Sequence, residues 1–551
     1  MTNVTKTHDQ NKEKIQTLRG LEALLQVFNS HIDDSEVINS AMNAVIAICE
    51  SNDQNKNEFG AIGGCASITE SLIKHSNDLS LVRISSNAIA VLSLSNPTNQ
   101  AIFESHNACK TLVNIITSYR ENTMVLLNLT WALLELSKDC PNNQRVLGSL
   151  GLCPLLVSFL VSSSDSMDVL LVDRICTCIY LLCLDTNNHQ YLVTIDGYHN
   201  ILFTVLSSNI YNASIAYHIC GIFRLVSFNE LHTLITDGIE VYRILRDIVV
   251  QHVENGDVCE NVCWVLHQVT ISKLDMRQIS ATIVVSDIEV FIRAMSLHTG
   301  NILISDYLSS IVRKMCEYEQ ISNYFERSNC YQTVVTLLNT HIMHHDIVSN
   351  ICYVIGMVAV TDYSKQRFRS IDGYEGICQA LTLHIDSTTA CQAVCYAIIN
   401  LCKSNPANQQ SMGLVVYKDL LNILEHHLSD VTCVKLACTA FYYISHQCPS
   451  NQHIFRSDIS ILEPIIRCLV VYHSSVSVAE FATGVFRNID FMLFNNVSLG
   501  PKEMFRLLID YIIANTHLEN VLENITWTMY HYLSQLETTK YEGKIMIYHI
   551  M

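Results

Sequence analysis

The sequence predicts an all-α solenoid, a right-handed superhelix of about twelve three-helix repeats. Three observations carry that expectation. An Asn-Gln pair or its remnant returns at Asn55, Asn99, Asn143 and Asn188, near Leu231, Arg277 and Ile321, and again at Lys365, Asn408, Asn451 and Asn495, with gaps of 43 to 46 residues. Between these marks, apolar residues recur at helical rather than alternating spacing. The 551 residues include only 7 Pro and 18 Gly, and no Pro- or Gly/Ser-rich linker interrupts them. A chain of this length normally splits into several domains, so the absence of linkers favours one continuous repeat array.

Taken in order, residues 1–11 are polar and read as a flexible N-terminus. Residues 12–540 read as the solenoid, and 541–551 as a C-terminal tail or cap. The unit from Asn99 shows the repeat plainly. NQAIFES is a short first helix, broken at His106-Asn107. ACKTLVNIITS is a second helix, with an apolar stripe at 109, 112, 115 and 116. After YREN, TMVLLNLTWALLELSK is a third helix, apolar almost all round, so neighbours must pack on both of its sides. The sets SNPTNQ, CPNNQ, SNPANQ and CPSNQ stop one helix and start the next. Gly64, Gly151, Gly197, Gly238, Gly373 and Gly413 fall where the first helix meets the second, where a left-handed cap and a bend are expected.

The composition narrows function. A net charge of −18 argues against a general nucleic-acid binder, which needs a basic footprint. The 22 Cys are scattered through apolar runs such as VDRICTCIYLLCL, and read as reduced core residues rather than a disulfide framework. The pairs Cys176/Cys178, Cys259/Cys263 and Cys391/Cys395 lack a second pair at zinc-finger spacing, so no metal or other cofactor is expected. His344, His345 and Asp346 read as an exposed helix start, and His426 and His427 as a helix end where the dipole suits them. No phosphate-loop, dinucleotide, nucleophile-elbow or zincin motif occurs, and no enzyme activity is expected. The N-terminal stretch has no apolar signal core and no apolar run is long enough to span a membrane. The expected location is the cytoplasm, with the nucleus also open.

The pattern N-x-x-N-Q, short helix, Gly, second helix and a long W/C/Y-A-[LI] third helix resembles the armadillo family, over about residues 12 to 540. The resemblance implies that third helices line a concave groove, with two positions four apart on each projecting into it. In one repeat these are Trp131 and Glu135. Stepping by the period, the first rung is Asn43, Asn87, Trp131, Cys176, Ile219, Trp264, Ser309, Tyr353, Tyr396, Thr439, Thr483 and Trp527. All three tryptophans of the chain share it, 133 and 263 residues apart. The second rung includes Glu135, Tyr180, Gln268, Asn400, Tyr443, Arg487 and His531. The candidate partner-binding residues are therefore Trp131, Glu135, Tyr180, Trp264, Gln268, Tyr353, Tyr396, Asn400, Tyr443, Arg487, Trp527 and His531. These aromatics are either groove anchors or packing between third helices.

The expected function is a non-catalytic scaffold or adaptor that binds a peptide segment or partner protein along the groove. An alternative is a divergent import adaptor of the importin-α kind, whose Trp rings take basic side chains and whose Asn clamp the peptide backbone. Only Asn400 stands at a clamping position, beside Tyr396 rather than Trp. A groove for acidic ligands, as in β-catenin-like proteins, is not advertised by 34 Lys and Arg against 52 Asp and Glu. A structural part in a large assembly is the third reading.

Overall fold

The computed structural model describes residues 9–162, 168–226, 238–272, 281–317, 325, 330–472, 475–489, 500–514 and 516–538. Every regular element among them is helical. The chain divides into two compact units, Met1–Leu274 and Asp275–Met551. The repeat marks expected near Leu231, Arg277, Ile321 and Asn495, and the tail 541–551, lie outside the described residues.

Among the described residues each unit contains six pairs of second and third helices. In the first unit the third helices are Ser35–Cys49, Leu79–Ser93, Thr123–Ser137, Val169–Cys183, Ala213–Leu225 and Gly256–Ser272. In the second they are Ile302–Met315, His345–Val358, Thr388–Cys402, Val431–Ser445, Val476–Asn488 and Glu519–Thr538. Within a unit each packs on the third helix before and after it, as Thr123–Ser137 does on Leu79–Ser93 and Val169–Cys183. That explains why Leu126, Leu129, Ala132, Leu133 and Leu136 are all buried. This is the armadillo-type solenoid expected from the sequence.

A polar side chain starts most third helices. Asp34, Asp78, Asn122, Asp168, Asn212, Asn301, Ser387 and Asp430 each accept backbone N–H groups of the first turn.

The Asn of the Asn-Gln pair does something else. It is not the cap: Asn52, Asn96 and Asn405 cap the first helices, three residues earlier. The paired Asn is fully buried and bridges repeats. Asn99 Nδ2 donates to Leu92 O and to Lys56 O, both at 3.0 Å. Asn143 reaches Leu136 O at 2.9 Å and Gln100 O at 3.3 Å. Asn55, Asn188, Asn408 and Asn451 repeat the arrangement. In three repeats the following residue reaches forward instead. Lys56 Nζ, Gln100 Nε2 and Lys365 Nζ donate to Leu94 O, Lys138 O and Lys403 O, each 38 residues on. Lys365 therefore holds the Gln position, and buried Ser364 the Asn position, a one-residue correction to the register read from sequence.

The glycines need a second correction. The left-handed residue between first and second helices is Gly63 rather than Gly64, and Asn107 and Asp372 take the same conformation without glycine. At Gly413 there is no bend, because Pro406–His426 is one continuous helix. Glycine is required there for clearance: a Cβ would lie 2.2 Å from Asn451 Nδ2. Gly60 and Gly148 make the same room for Asn99 and Asn188, at 1.9 and 1.8 Å from Oδ1.

Asn143→Ala should lower unfolding free energy by about 2 kcal/mol, since two buried carbonyls lose their donor. Gly148→Ala should also destabilise, against the helix propensity that favours Ala, because the added methyl displaces Asn188. Denaturant melts of both variants test this; a neutral Gly148→Ala would remove the clearance argument.

Candidate functional site

The face that third helices leave uncovered is the candidate site. Of the twelve residues proposed from sequence, Trp131, Tyr180, Trp264, Gln268, Tyr353, Tyr396, Asn400, Tyr443, Arg487, Trp527 and His531 are half-exposed on it. Glu135 is not: it is 6% exposed. It accepts a hydrogen bond from Trp131 Nε1 at 3.1 Å. Its other oxygen has no hydrogen-bond partner, and burial pushes the carboxyl up from its ordinary pKa, against the pull of the Trp131 bond. The rung also slips where Cys176, Ile219, Ser309, Thr439 and Thr483 turn inward and are buried. A helix advances about 100° per residue, so a shift of one or two residues in where a helix starts moves a rung off its face. Thr177, Tyr217 and Tyr443 occupy the face there.

The structure brings several of these residues together. Tyr180 meets Tyr217 edge-on at 5.6 Å and His218 at 5.3 Å. Burial, with the Tyr217 hydrogen bond second, pushes the Tyr180 hydroxyl up to about 12, and burial lowers the pKa of His218. Tyr353 and Tyr396, on adjacent helices, lie 5.5 Å apart. Trp527 and His531 are 3.9 Å apart on one helix. Asn400 Nδ2 donates to Tyr396 O one turn back, at 2.9 Å, so this donor is engaged within its own helix.

Three of the rings carry arginines of the chain itself. The Arg174 guanidinium lies 5.4 Å from the Trp131 ring, Arg313 4.0 Å from Tyr353 and Arg487 5.8 Å from Trp527. Two of these arginines also bond a buried asparagine one turn before the ring. Arg313 Nη1 donates to Asn350 Oδ1 and Arg487 Nη1 to Asn524 Oδ1, both at 3.3 Å. Arg224 Nη1 does the same to Asn261 at 3.0 Å, three residues before Trp264. The asparagine amides in turn donate back to Tyr217 O, Ser309 Oγ and Glu480 O. Sequence reading missed Arg224, Asn261, Asn350 and Asn524, and placed Arg313 on the second rung without choosing it as a site residue. The signal was present: NVCW, NICY and NITW each follow an Arg by 37 residues.

The remaining chemistry is sparse. All 22 cysteines are unpaired, and all but Cys140 are buried. Burial pushes the Cys49 and Cys259 thiols up to about 12 and Cys176 and Cys263 higher, opposite to what a thiolate ligand needs. Among the described residues no His, Cys, Asp or Glu group could hold a metal ion. His427 closes its helix as expected, and its Nε2 donates to Ile385 O at 2.6 Å. A hollow of about 530 Å³ beside the Arg145–Asp185 ion pair is lined by polar side chains together with Pro141 and Leu184. Among the described residues no single helix is long and apolar enough to cross a membrane.

No family model and no curated protein matches the sequence. The fold does match solved structures. One, from a study of a phosphorylation switch controlling the interaction between cadherin and beta-catenin, aligns with a TM-score of 0.66 at 11% identity. The alignment covers 93% of this chain and 98% of that one. The likeness is one of fold, an armadillo α-solenoid.

Glu135 yields a pH prediction. Its folded pKa is raised, so ionisation above the unfolded value costs stability. Glu135→Gln keeps an acceptor for Trp131 and cannot ionise. The variant should gain stability relative to the parent as pH rises from 4 to 7. Thermal melts across that range test it, and parallel curves would show that the carboxyl ionises equally in the folded and unfolded chain.

Proposed function

We propose that this chain is a non-catalytic interaction scaffold that binds a segment of a partner protein along its third-helix face. One observation carries the reading: half-exposed aromatic side chains recur on the same face of successive third helices. They are Tyr180, Tyr217 and Trp264 in the first unit, and Tyr353, Tyr396, Tyr443 and Trp527 in the second. Large amphipathic rings on a rigid face supply contact area at small entropy cost, which is why Tyr and Trp anchor interfaces. The solved structure of like fold comes from work on beta-catenin and its interaction with cadherin, so the fold is one that serves protein partners. The 22 unpaired thiols suit a reducing compartment such as the cytoplasm.

Recognition of basic peptides in the manner of an import adaptor has less support. The Trp131 and Trp527 rings, which would form cation slots, lie against Arg174 and Arg487.

A photo-crosslinking residue at Asn400 or at half-exposed Met357, one turn after Tyr353, should capture a partner polypeptide, whereas one at exposed Leu414, on a continuous first-and-second helix, should not. Capture at Leu414 alone would move the binding surface off the third helices.

A further inference from the structure

The turns that join second to third helices form an edge of the second unit, separate from the third-helix face. Each runs from the last two residues of a second helix to the first two of a third: 296–303, 339–346, 382–389, 425–432, 470–477 and 513–520. Among the described residues these short stretches hold ten of the unit's sixteen exposed large apolar side chains. Leu303, Met343, Leu383, Val431, Val476 and Ile513 put one in every repeat of the unit. Single exposed apolar residues are ordinary, whereas a row of them marks a contact surface. The row is held in line. His384 Nε2 donates to Ile342 O, His427 Nε2 to Ile385 O and the Tyr472 hydroxyl to Leu428 O, so four successive turns are tied side by side. The same stretches contain no Lys or Arg and five carboxylates, those of Asp346, Asp386, Glu425, Asp430 and Glu519.

We propose that this edge docks an amphipathic helix of a partner protein, one whose apolar stripe is flanked by Lys or Arg. Neighbouring third helices pack ~10 Å apart. A helix rises about 1.5 Å per residue, so apolar residues about seven apart on one stripe meet successive repeats. A helix of about twenty residues spans about three of them. Cations beside its stripe meet the carboxylates of the turns, and no cation of the edge opposes them. Because neighbouring turns are already tied together, little freedom is left for the edge to lose on binding. The charge also disfavours two other occupants. A second copy paired through the same edge sets carboxylates against carboxylates, and the anionic surface of a bilayer repels them. The edge and the third-helix face are separate surfaces, so either can fail its test without the other.

The test is fluorescence anisotropy of the full chain with a labelled Leu/Lys peptide of about twenty residues, its Leu confined to one helical stripe. A Leu/Glu peptide of the same pattern and a Leu/Lys peptide with Leu spread around the helix are the comparisons. The striped Leu/Lys peptide should bind saturably, and the other two about tenfold more weakly. Met343→Ser with Leu383→Ser, both exposed, should weaken the striped peptide about tenfold. Asp386→Lys with Glu425→Lys, both exposed, should weaken it as well. If that variant does not fold, Asp386→Asn with Glu425→Gln reads the same effect. Leu414→Ser, exposed but away from the turns, should leave binding unchanged. No saturable binding of the striped peptide, or equal binding by the Met343/Leu383 variant, overturns the proposal. Dimers in sedimentation velocity, or flotation with phosphatidylserine vesicles, that the Met343/Leu383 variant abolishes also overturn it and assign the edge to a second copy or to a bilayer.

Discussion

In six repeats a single buried amide ties the solenoid's neighbouring segments together. The asparagine at 55, 99, 143, 188, 408 and 451 is fully buried or nearly so, where an unpaired amide would cost several kcal/mol. It spends its two N–H donors on one carbonyl of the preceding third helix and one carbonyl of the repeat before. Because both partners are backbone, the bond fixes where three chain segments lie without regard to their side chains. At Lys56, Gln100 and Lys365 the next residue extends the link to the end of the following third helix, whereas Gln144 and Gln452 donate back to Ser137 O and Ser445 O of the preceding one. Glycine at 60, 148 and 413 follows from the same constraint, since the amide of the next repeat occupies the space of a Cβ.

A second line of bonds runs between the turns that join second and third helices. His75, His252, His384 and His427 donate from Nε2 to Ile32 O, Ile210 O, Ile342 O and Ile385 O, 42 or 43 residues back, at 2.6 to 2.8 Å. A carbonyl can only accept, so each ring must carry its proton on Nε2. Tyr119 and Tyr472 reach Ser76 O and Leu428 O with their hydroxyls. The two lines together tie each repeat to the last by polar contacts, and the apolar core between them is then free to vary. That freedom lets Cys, Val, Ile and Leu interchange through the third helices while the period holds.

The fold was legible in the sequence because those ties need particular side chains. Asn-Gln is visible as a beat even where the surrounding core has changed. Its mechanism was not legible: sequence alone reads Asn and Pro as a stop and start, and the cross-repeat bond appears only once two repeats are side by side. The bend expected at Gly413 failed for a related reason, since glycine was read through its own backbone and its purpose lay in a neighbour. The aromatic rung was legible as residue types and spacing. It was less legible as a surface, because repeats of 43 and 46 residues rotate the helix differently, and Cys176, Ile219, Ser309, Thr439 and Thr483 turned inward.

The arginines change what the rung presents. Spacing alone makes Trp131, Tyr353 and Trp527 a row of open rings. With Arg174, Arg313 and Arg487 across them, the same row becomes alternating ring and cation, stiffened by Asn350 and Asn524 from beneath. Whether such a row attracts charge then depends on a residue off the rung. Glu260 and Glu523 form ion pairs with Arg224 and Arg487, whereas Ser349 stands at that place beside Arg313. Net charge therefore says little about this face. In a repeat protein, where every unit offers the same positions, a single Glu-to-Ser difference one turn before the ring is enough to leave one arginine without the ion pair that its counterparts make.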